Sequence, residues 1–410
     1  MKKKHLQKTI INRKVCICKN KLKQKINFGN LPLINNYTIN KNLKKYPTII
    51  SQCQNCLLIQ LKYSIPDKFL FPNNYSYLSG NSKEKINNFA SILAKIKKTS
   101  KKKTPQILDI GSNDGSFLEI VKKKYPKILG IEPTNTARYA IKKGINTIKK
   151  SLDFKLAKKI TNKYSKFDFI IATNFFAQTN NLEEILKSIK LILDKNGLLI
   201  VEVQYLYELL LQKGFDSFHH EHIAYYTLSS ITNLLAKYNL YVFDAEKLKV
   251  HGGMLRVYIS LKKKPITKKM KKILASENDQ NIIKKIKNLN LFRIKFSNKL
   301  NKFFSNLKKK GKKIYAMGAA PRACVMLNSA NLTKNEVGLV GEVSKSLKCN
   351  KYVPGTNIMV RNENRIIRDK PDYVVILAWH LKKRIINLLS KKGYKCNFII
   401  PLPILKIIKN

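Results

Sequence analysis

The sequence predicts an α/β chain: two strand–helix units, a helical connector between them and a small module in front. Three observations predict it. From Gln106 to about Ile200, short apolar runs alternate with helical stretches, the pattern of a parallel sheet covered by helices on both faces. The alternation resumes at Lys313. Residues 1–75 instead hold four of the seven cysteines and show little helical periodicity. The length of 410 residues suits two or three domains. The boundaries read 1–75, 76–265, 266–305 and 306–410.

Taken in order, the first module reads as small and loop-rich. Residues 82–103 are amphipathic and Lys-rich, a helix leading into the larger unit. Ile107-Leu-Asp-Ile, Ile128-Leu-Gly-Ile, Phe167-Asp-Phe-Ile-Ile-Ala and Gly197-Leu-Leu-Ile-Val-Glu-Val read as strands, with apolar-periodic helices between them. Asn239-Leu-Tyr-Val-Phe and Met254-Leu-Arg-Val-Tyr-Ile add strands expected to be antiparallel. Residues 263–312 read as a helical connector. Lys313-Ile-Tyr-Ala-Met-Gly, Val337-Gly-Leu-Val and Asp372-Tyr-Val-Val-Ile-Leu then open the second unit.

Composition narrows the class. With 44% apolar and 26% charged residues the chain can bury a core, and 16 Gly and 13 Pro exclude a collagen-like or linker-dominated protein. Seven cysteines are too few for a disulfide scaffold. The formal charge is +57, yet only nine of the 81 basic residues are Arg. Phosphate-gripping surfaces favour Arg, whose planar fork matches phosphate oxygens. Here Lys is spread over every segment, and Lys, Asn and Ile share AT-rich codons. The charge attracts anions at low salt but does not name nucleic acid as the partner. No apolar stretch follows the basic start, and no segment approaches the roughly 20 apolar residues of a membrane span. A cytoplasmic protein is expected.

The stretch Leu108-Asp-Ile-Gly-Ser-Asn-Asp-Gly-Ser-Phe follows a strand and opens a helix. Gly111 and Gly115 permit a tight turn and close approach of a ligand to the backbone. Asp109 stands just before the turn, where a carboxylate can meet a cationic ligand. The spacing is not the Gly-x-Gly-x-x-Gly of dinucleotide folds. Glu132, at the tip of the next strand, can accept from both hydroxyls of a ribose. Together these residues resemble the S-adenosylmethionine site of class I methyltransferases. That ligand carries a sulfonium, an amino group and a ribose, and no phosphate. Asn113 in the loop and Asn174 after the fourth strand complete the cofactor candidates.

Cys16, Cys18, Cys53 and Cys56 can close a tetrahedral structural zinc site. A module this small has a poor core and gains folding free energy from metal, on the order of 10–16 kcal/mol in zinc-finger peptides. The first pair has only one residue between its thiols, which leaves free cysteines as the alternative. His219, His220, Glu221 and His222 follow the strand ending near Glu202, at the sheet edge where ligands gather in open α/β folds. Histidine exchanges a proton near neutral pH, and a neighbouring carboxylate can orient it. A second metal site, or packing alone, are the other readings of this segment.

These pieces, in this order, resemble the nucleotide-sugar C-methyltransferase family over nearly the whole chain. The resemblance rests on Phe28-Gly-Asn-Leu-Pro-Leu-Ile-Asn, Cys53-Gln-Asn-Cys, Leu70-Phe-Pro-Asn-Asn-Tyr-Ser-Tyr-Leu-Ser, the Asp109 loop, Gly130-Ile-Glu-Pro and His220-Glu-His. It continues through His251-Gly-Gly-Met-Leu-Arg-Val, Met317-Gly-Ala-Ala-Pro-Arg, Pro354-Gly-Thr and Pro371-Asp-Tyr-Val-Val-Ile-Leu-Ala-Trp. It implies a class I methyltransferase core, a small N-terminal zinc module and a second, C-terminal Rossmann-like domain. A nucleotide-linked keto-sugar would lie between them, with His220, Gly318 and Arg322 as candidate substrate contacts. His222 is then the first candidate base, with Glu221 its partner or alternate. Tyr75 and Tyr77 resemble substrate-facing tyrosines.

The chemistry has a physical logic. A ketone acidifies the adjacent carbon, a base removes its proton, and donors stabilise the resulting oxygen charge. Two positions depart from the family pattern: His219 replaces a Tyr, and Gln178 replaces a His. Gln178 can hydrogen-bond but cannot shuttle a proton near neutral pH. Both departures bear on which acceptor is methylated. A zinc-containing RNA methyltransferase is the rival enzyme, although Thr173-Asn-Phe-Phe-Ala-Gln lacks the paired prolines of base-nitrogen methyltransferases. A non-catalytic methyltransferase-fold protein is the third reading.

Overall fold

The structure, a computed structural model, describes residues 10–72, 75, 77–277, 281–343, 346–394 and 396–409. The basic start, and Asn73, Asn74 and Ser76 of the tyrosine motif, lie outside the described residues. No helix among the described residues is long and apolar enough to cross a membrane.

The central sheet has seven strands. Their order across the sheet is Tyr241–Leu248, Met254–Ser260, Leu193–Gln204, Phe167–Thr173, Ile107–Ile110, Ile128–Ile131 and Thr147–Ile148. Met254–Ser260 runs antiparallel to both its neighbours, and the other pairs are parallel. Every residue of Ile107–Ile110 and Ile128–Ile131 is buried, as expected for strands covered on both faces. Helices supply that cover. In Leu182–Ile192, for example, Leu182, Ile185, Leu186, Ile189 and Ile192 recur at helical spacing and bury one face. Chain order reverses on either side of Ile107–Ile110, which opens a crevice at its carboxyl end.

The C-terminal sheet repeats the theme. Met359–Asn362, Leu339–Glu342, Ile314–Met317, Tyr373–Ile376 and Asn397–Ile400 are parallel, and Lys406–Ile408 closes the edge antiparallel. Chain order reverses at Ile314–Met317. Helices Lys268–Ala275 and Ile282–Lys309 span the connector.

The first module is less loop-rich than its sequence implies. Leu22–Leu31, Tyr46–Cys53 and Ile59–Leu61 form an antiparallel sheet, and Ala224–Tyr225, from beyond the histidines, adds the fourth strand beside Ile59–Leu61. Irregularities in Leu22–Leu31 shift its pairing at Lys23 and again after Asn27, so its apolar residues miss a clean two-residue period. One hydrophobic core runs from Ile26 and Phe28 of this sheet through Phe215, Phe218 and Phe296 to Val375 and Trp379. The cysteines share a different core with the central sheet.

Candidate active site

The crevice begins at Asp109. Its side chain is buried and makes no hydrogen bond to a described residue. Burial, and then the charge of Glu132, hold its carboxyl well above the usual carboxylate range, opposed by Lys85. An uncompensated buried carboxyl of this kind favours a cationic ligand. Gly115 takes a left-handed conformation at φ 74° and caps helix Ser116–Lys122. A Cβ there would stand 2.7 Å from Ala140 Cβ, so only glycine lets the turn pack.

Glu132 accepts the Asn113 backbone N–H on Oε2 at 2.9 Å and the Thr134 N–H on Oε1 at 2.8 Å. Both bonds fix the carboxylate, and each oxygen retains a lone pair for a ligand hydroxyl. Asn113 Nδ2 donates to the Tyr77 carbonyl at 3.1 Å, and its Oδ1 accepts from Ser79 N–H at 2.9 Å. Asp114 accepts from Gly80 N–H at 3.0 Å. The tyrosine segment is thereby tied over the glycine turn. Lys85 stacks on the Tyr77 ring at 5.2 Å. Tyr75 is held well above its ordinary value by burial, with Glu221 the leading charge and Glu132 also felt. It thus senses both the crevice and the histidine segment. Asn174, at φ 60°, donates its N–H to the Glu202 carbonyl at 2.8 Å. The Gln178 N–H bonds the Phe175 carbonyl at 2.9 Å.

The histidine segment leaves a single turn, Phe215–Ser217, and enters the strand Ala224–Tyr225. The Ala177 carbonyl accepts from Ile223 N–H at 2.7 Å, which pins the exit. His222 Nδ1 lies 3.3 Å from the Ser217 carbonyl. A carbonyl only accepts, so Nδ1 carries the proton and Nε2 offers its lone pair. Burial lowers His222 to about 4, with Arg322 adding to the shift. Its ring lies 4.2 Å from that of His219. His219 is lowered well below its ordinary value by burial and by the neighbouring histidines. His219 Nδ1 is buried with no partner among the described residues.

Glu221 does not orient His222. Its carboxylate instead accepts from Asn35 Nδ2, at 2.7 Å on Oε1 and 2.9 Å on Oε2, and is pushed up to about 7 by burial. The Ser217 carbonyl holds the imidazole because it lies on the same turn, whereas the Glu221 side chain faces the first module. His220 Nε2 lies 3.3 Å from the Pro47 carbonyl, with the ring edge-on to Tyr46 at 5.9 Å. The structure therefore sets His220 against the first module, apart from His219 and His222.

Arg322, the second residue of helix Pro321–Ser329, donates to Asp216 at 2.6 Å. Gly318 has φ 95°, and its N–H bonds the Gly341 carbonyl at 2.9 Å. Sequence reasoning missed three side chains that the fold brings here. Asn35 meets Glu221. The half-buried Lys348 donates from Nζ to the Ala319 carbonyl at 2.7 Å, and Asp216 receives Arg322. Their partners are far away in sequence, so no local pattern marks them.

The four cysteine sulfurs lie within 4.8 Å of one another, and all four residues are buried. Cys16 Sγ is 3.6 Å from Cys56 Sγ, and Cys18 Sγ is 3.4 Å from Cys53 Sγ. Thiolates about 2.3 Å from a tetrahedral zinc ion would be separated by similar distances. The one-residue spacing of the first pair is accommodated by a turn in which Lys19, at φ 68°, donates its N–H to the Cys16 carbonyl.

Comparison with known proteins agrees with this layout. A family model described as a C-methyltransferase C-terminal domain matches residues 249–403, and a methyltransferase-domain model matches residues 83–245. The curated C-methyltransferase NovU of Streptomyces niveus is 25% identical over 391 residues, covering 92% of both chains. The chain joins a methyltransferase domain to a C-methyltransferase C-terminal domain. Among solved structures, the magnesium protoporphyrin IX methyltransferase (ChlM) of Synechocystis PCC 6803 with bound SAH is 12% identical at a TM-score of 0.34, covering 43% of this chain and 83% of its own. The PH0226 protein of Pyrococcus horikoshii OT3 is 19% identical at a TM-score of 0.36, covering 48% and 98%. The C-methyltransferase uses S-adenosylmethionine as methyl donor. Its crevice fits that cofactor chemically, because a sulfonium and an ammonium supply the positive charge that Asp109 lacks.

Proposed function

We propose that this C-methyltransferase methylates the carbon beside the ketone of a nucleotide-linked sugar. The observation that carries the reading is the pairing of the Asp109–Glu132 crevice with a half-buried His222 whose Nε2 has no hydrogen-bond partner among the described residues and can take a proton. Asp109 and Glu132 would hold the cofactor's charged end and ribose, with Gly111, Asn113, Gly115 and Asn174 forming the cradle. When bound, S-adenosylmethionine supplies an electrophilic methyl group. His222 removes the proton next to the ketone, and the Ser217 carbonyl supports the imidazolium that forms. Tyr75 and His219 are the candidate donors to the enolate oxygen. Tyr75, raised by burial, stays protonated at neutral pH and able to donate. Tyr77 and Gln178 remain substrate-facing candidates, and His220, Gly318 and Arg322 candidate substrate contacts. Glu221, poised at about 7, is the alternate base.

The cysteine cluster is read as a structural zinc site, for which metal analysis of the purified protein should find about one zinc per chain. The function is tested by mass spectrometry of nucleotide-linked keto-sugars incubated with methyl-labelled S-adenosylmethionine. A labelled methyl on a sugar carbon is expected. Label found only in RNA, or on no acceptor, overturns the reading.

A further inference from the structure

Asp216 is fully buried, yet it carries a carboxylate in the turn Phe215–Ser217 that launches the histidine segment. Both its oxygens are taken by the C-terminal domain. Arg322 Nη2 donates to Oδ1 at 2.6 Å, and the indole Nε1–H of Trp379 donates to Oδ2 at 2.8 Å. The Arg322 guanidinium also sits 4.7 Å from the centre of the Trp379 ring. Gly214 makes room for this cation: a Cβ there would stand 3.0 Å from Nη2. A buried ion pair is weak evidence for stability, because desolvation offsets its attraction. Its better-attested use is to fix a geometry.

The geometry fixed here belongs to the next residue. The Ser217 carbonyl faces His222 Nδ1 at 3.3 Å and the Tyr225 hydroxyl at 3.4 Å. The Tyr225 hydroxyl in turn accepts the His219 N–H at 3.1 Å, and the His222 N–H returns to the His219 carbonyl at 3.1 Å. On its other side the turn is packed by Phe215 against Phe296, and by Phe218 stacked between Phe28 and Tyr225. One residue therefore separates the carboxylate gripped by the C-terminal domain from the carbonyl that selects the His222 tautomer.

We propose that Asp216 is a positioning residue: through Arg322 and Trp379 the C-terminal domain holds the Phe215–Ser217 turn so that the Ser217 carbonyl keeps His222 in its Nδ1–H form. The catalytic consequence rests on His222 being the base, whereas the effect on the ring does not. The C-terminal domain then acts on the chemistry and not only on the substrate. Arg322 has donors left beyond this pair, since its Nε and Nη1 are buried without a partner among the described residues.

Trp379 is the single tryptophan of the chain, so its fluorescence reports on the surroundings of this contact. The test uses the full chain labelled with ¹⁵N-histidine, S-adenosylmethionine as the added ligand, and the keto-sugar found by the labelling assay. Asp216→Asn should shift the Trp379 emission to the red and turn the His222 ring signals from the Nδ1–H form to a mixture of tautomers. It should lower kcat by about 10²-fold, with KM and cofactor affinity little changed. Arg322→Lys, which keeps a donor for Oδ1, should retain more of the native ring signal than Arg322→Met. Unchanged His222 signals in folded Asp216→Asn overturn the proposal. Should that variant fail to fold, Trp379→Phe removes one donor at the edge, and an unaltered His222 ring in it is equally decisive. If His222→Asn keeps its turnover, the base assignment falls, while the ring signals still decide the clamp.

Discussion

The glycine turn of the central sheet and that of the C-terminal sheet are built alike. After Ile107–Ile110, Glu132 at the tip of the next strand accepts the N–H groups of Asn113 and Thr134. After Ile314–Met317, Glu342 at the tip of the next strand accepts those of Ala319, at 2.9 Å, and Val343, at 3.0 Å. The difference lies in what surrounds each turn. Two residues before Gly111 stands Asp109, buried and without a hydrogen-bond partner among the described residues, whereas two residues before Gly318 stands Ala316. The Ala319 carbonyl is already capped by Tyr37 Oη at 2.8 Å and Lys348 Nζ at 2.7 Å. A turn with a glutamate at its edge is thus architecture common to both sheets. The buried Asp109 carboxyl sets the central one apart as a place for a cation.

The contrast can be broken in several ways. The largest effect is expected for His222→Asn beside the central turn: methyl transfer should fall by roughly 10²–10⁴-fold while calorimetry finds cofactor binding intact. Near-normal turnover would remove the chemistry from that turn. Next, Asp109→Asn should weaken S-adenosylmethionine by about 10–100-fold, the scale of a lost charge-assisted contact. The same change should raise the Tm of the ligand-free protein. Asp109 titrates above its unfolded-state value, so the native chain loses stability as pH rises from that value toward the folded one. An uncharged amide escapes that loss, and a Tm that falls would contradict the account.

Glu221 offers a smaller, pH-dependent effect. If its ionised form serves the reaction, methyl transfer should climb through pH about 7, and Glu221→Gln should flatten that limb of the profile. Burial raises this carboxyl, so its folding penalty grows between the ordinary value of 4.5 and about 7. The smallest effect belongs to the C-terminal turn: Glu342→Gln should leave cofactor affinity within about twofold, since the hydrogen bonds of that carboxylate go to its own loop. A loss comparable to that of Asp109→Asn would erase the distinction between the two turns.

Much of this was legible from local pattern. The strands flanking Asp109 and Glu132 are short apolar runs ending in an acid or a glycine, and chain order alone places them side by side. Cysteine spacing brought four thiols together despite the tight first pair. The rest depends on contacts that no window of sequence contains. Asn35 and Glu221 are 186 residues apart, Arg322 and Asp216 106, and Trp379 and Asp216 163. Adjacent histidines look equivalent as letters, but the turn before them sends His222 to the Ser217 carbonyl and His220 to the Pro47 carbonyl. The first module's sheet escaped notice because its irregular pairing hides the alternation.

The strand Ala224–Tyr225 has a consequence for anyone recombining such enzymes. It hydrogen-bonds to Gln60 and Ile59 immediately after the histidines, so the loop is stitched to a layer encoded more than 150 residues earlier. A chimera that exchanges the cysteine-bearing piece alone would put a foreign edge beside a resident loop. Parts that travel together should be drawn by this seam and not by position along the chain.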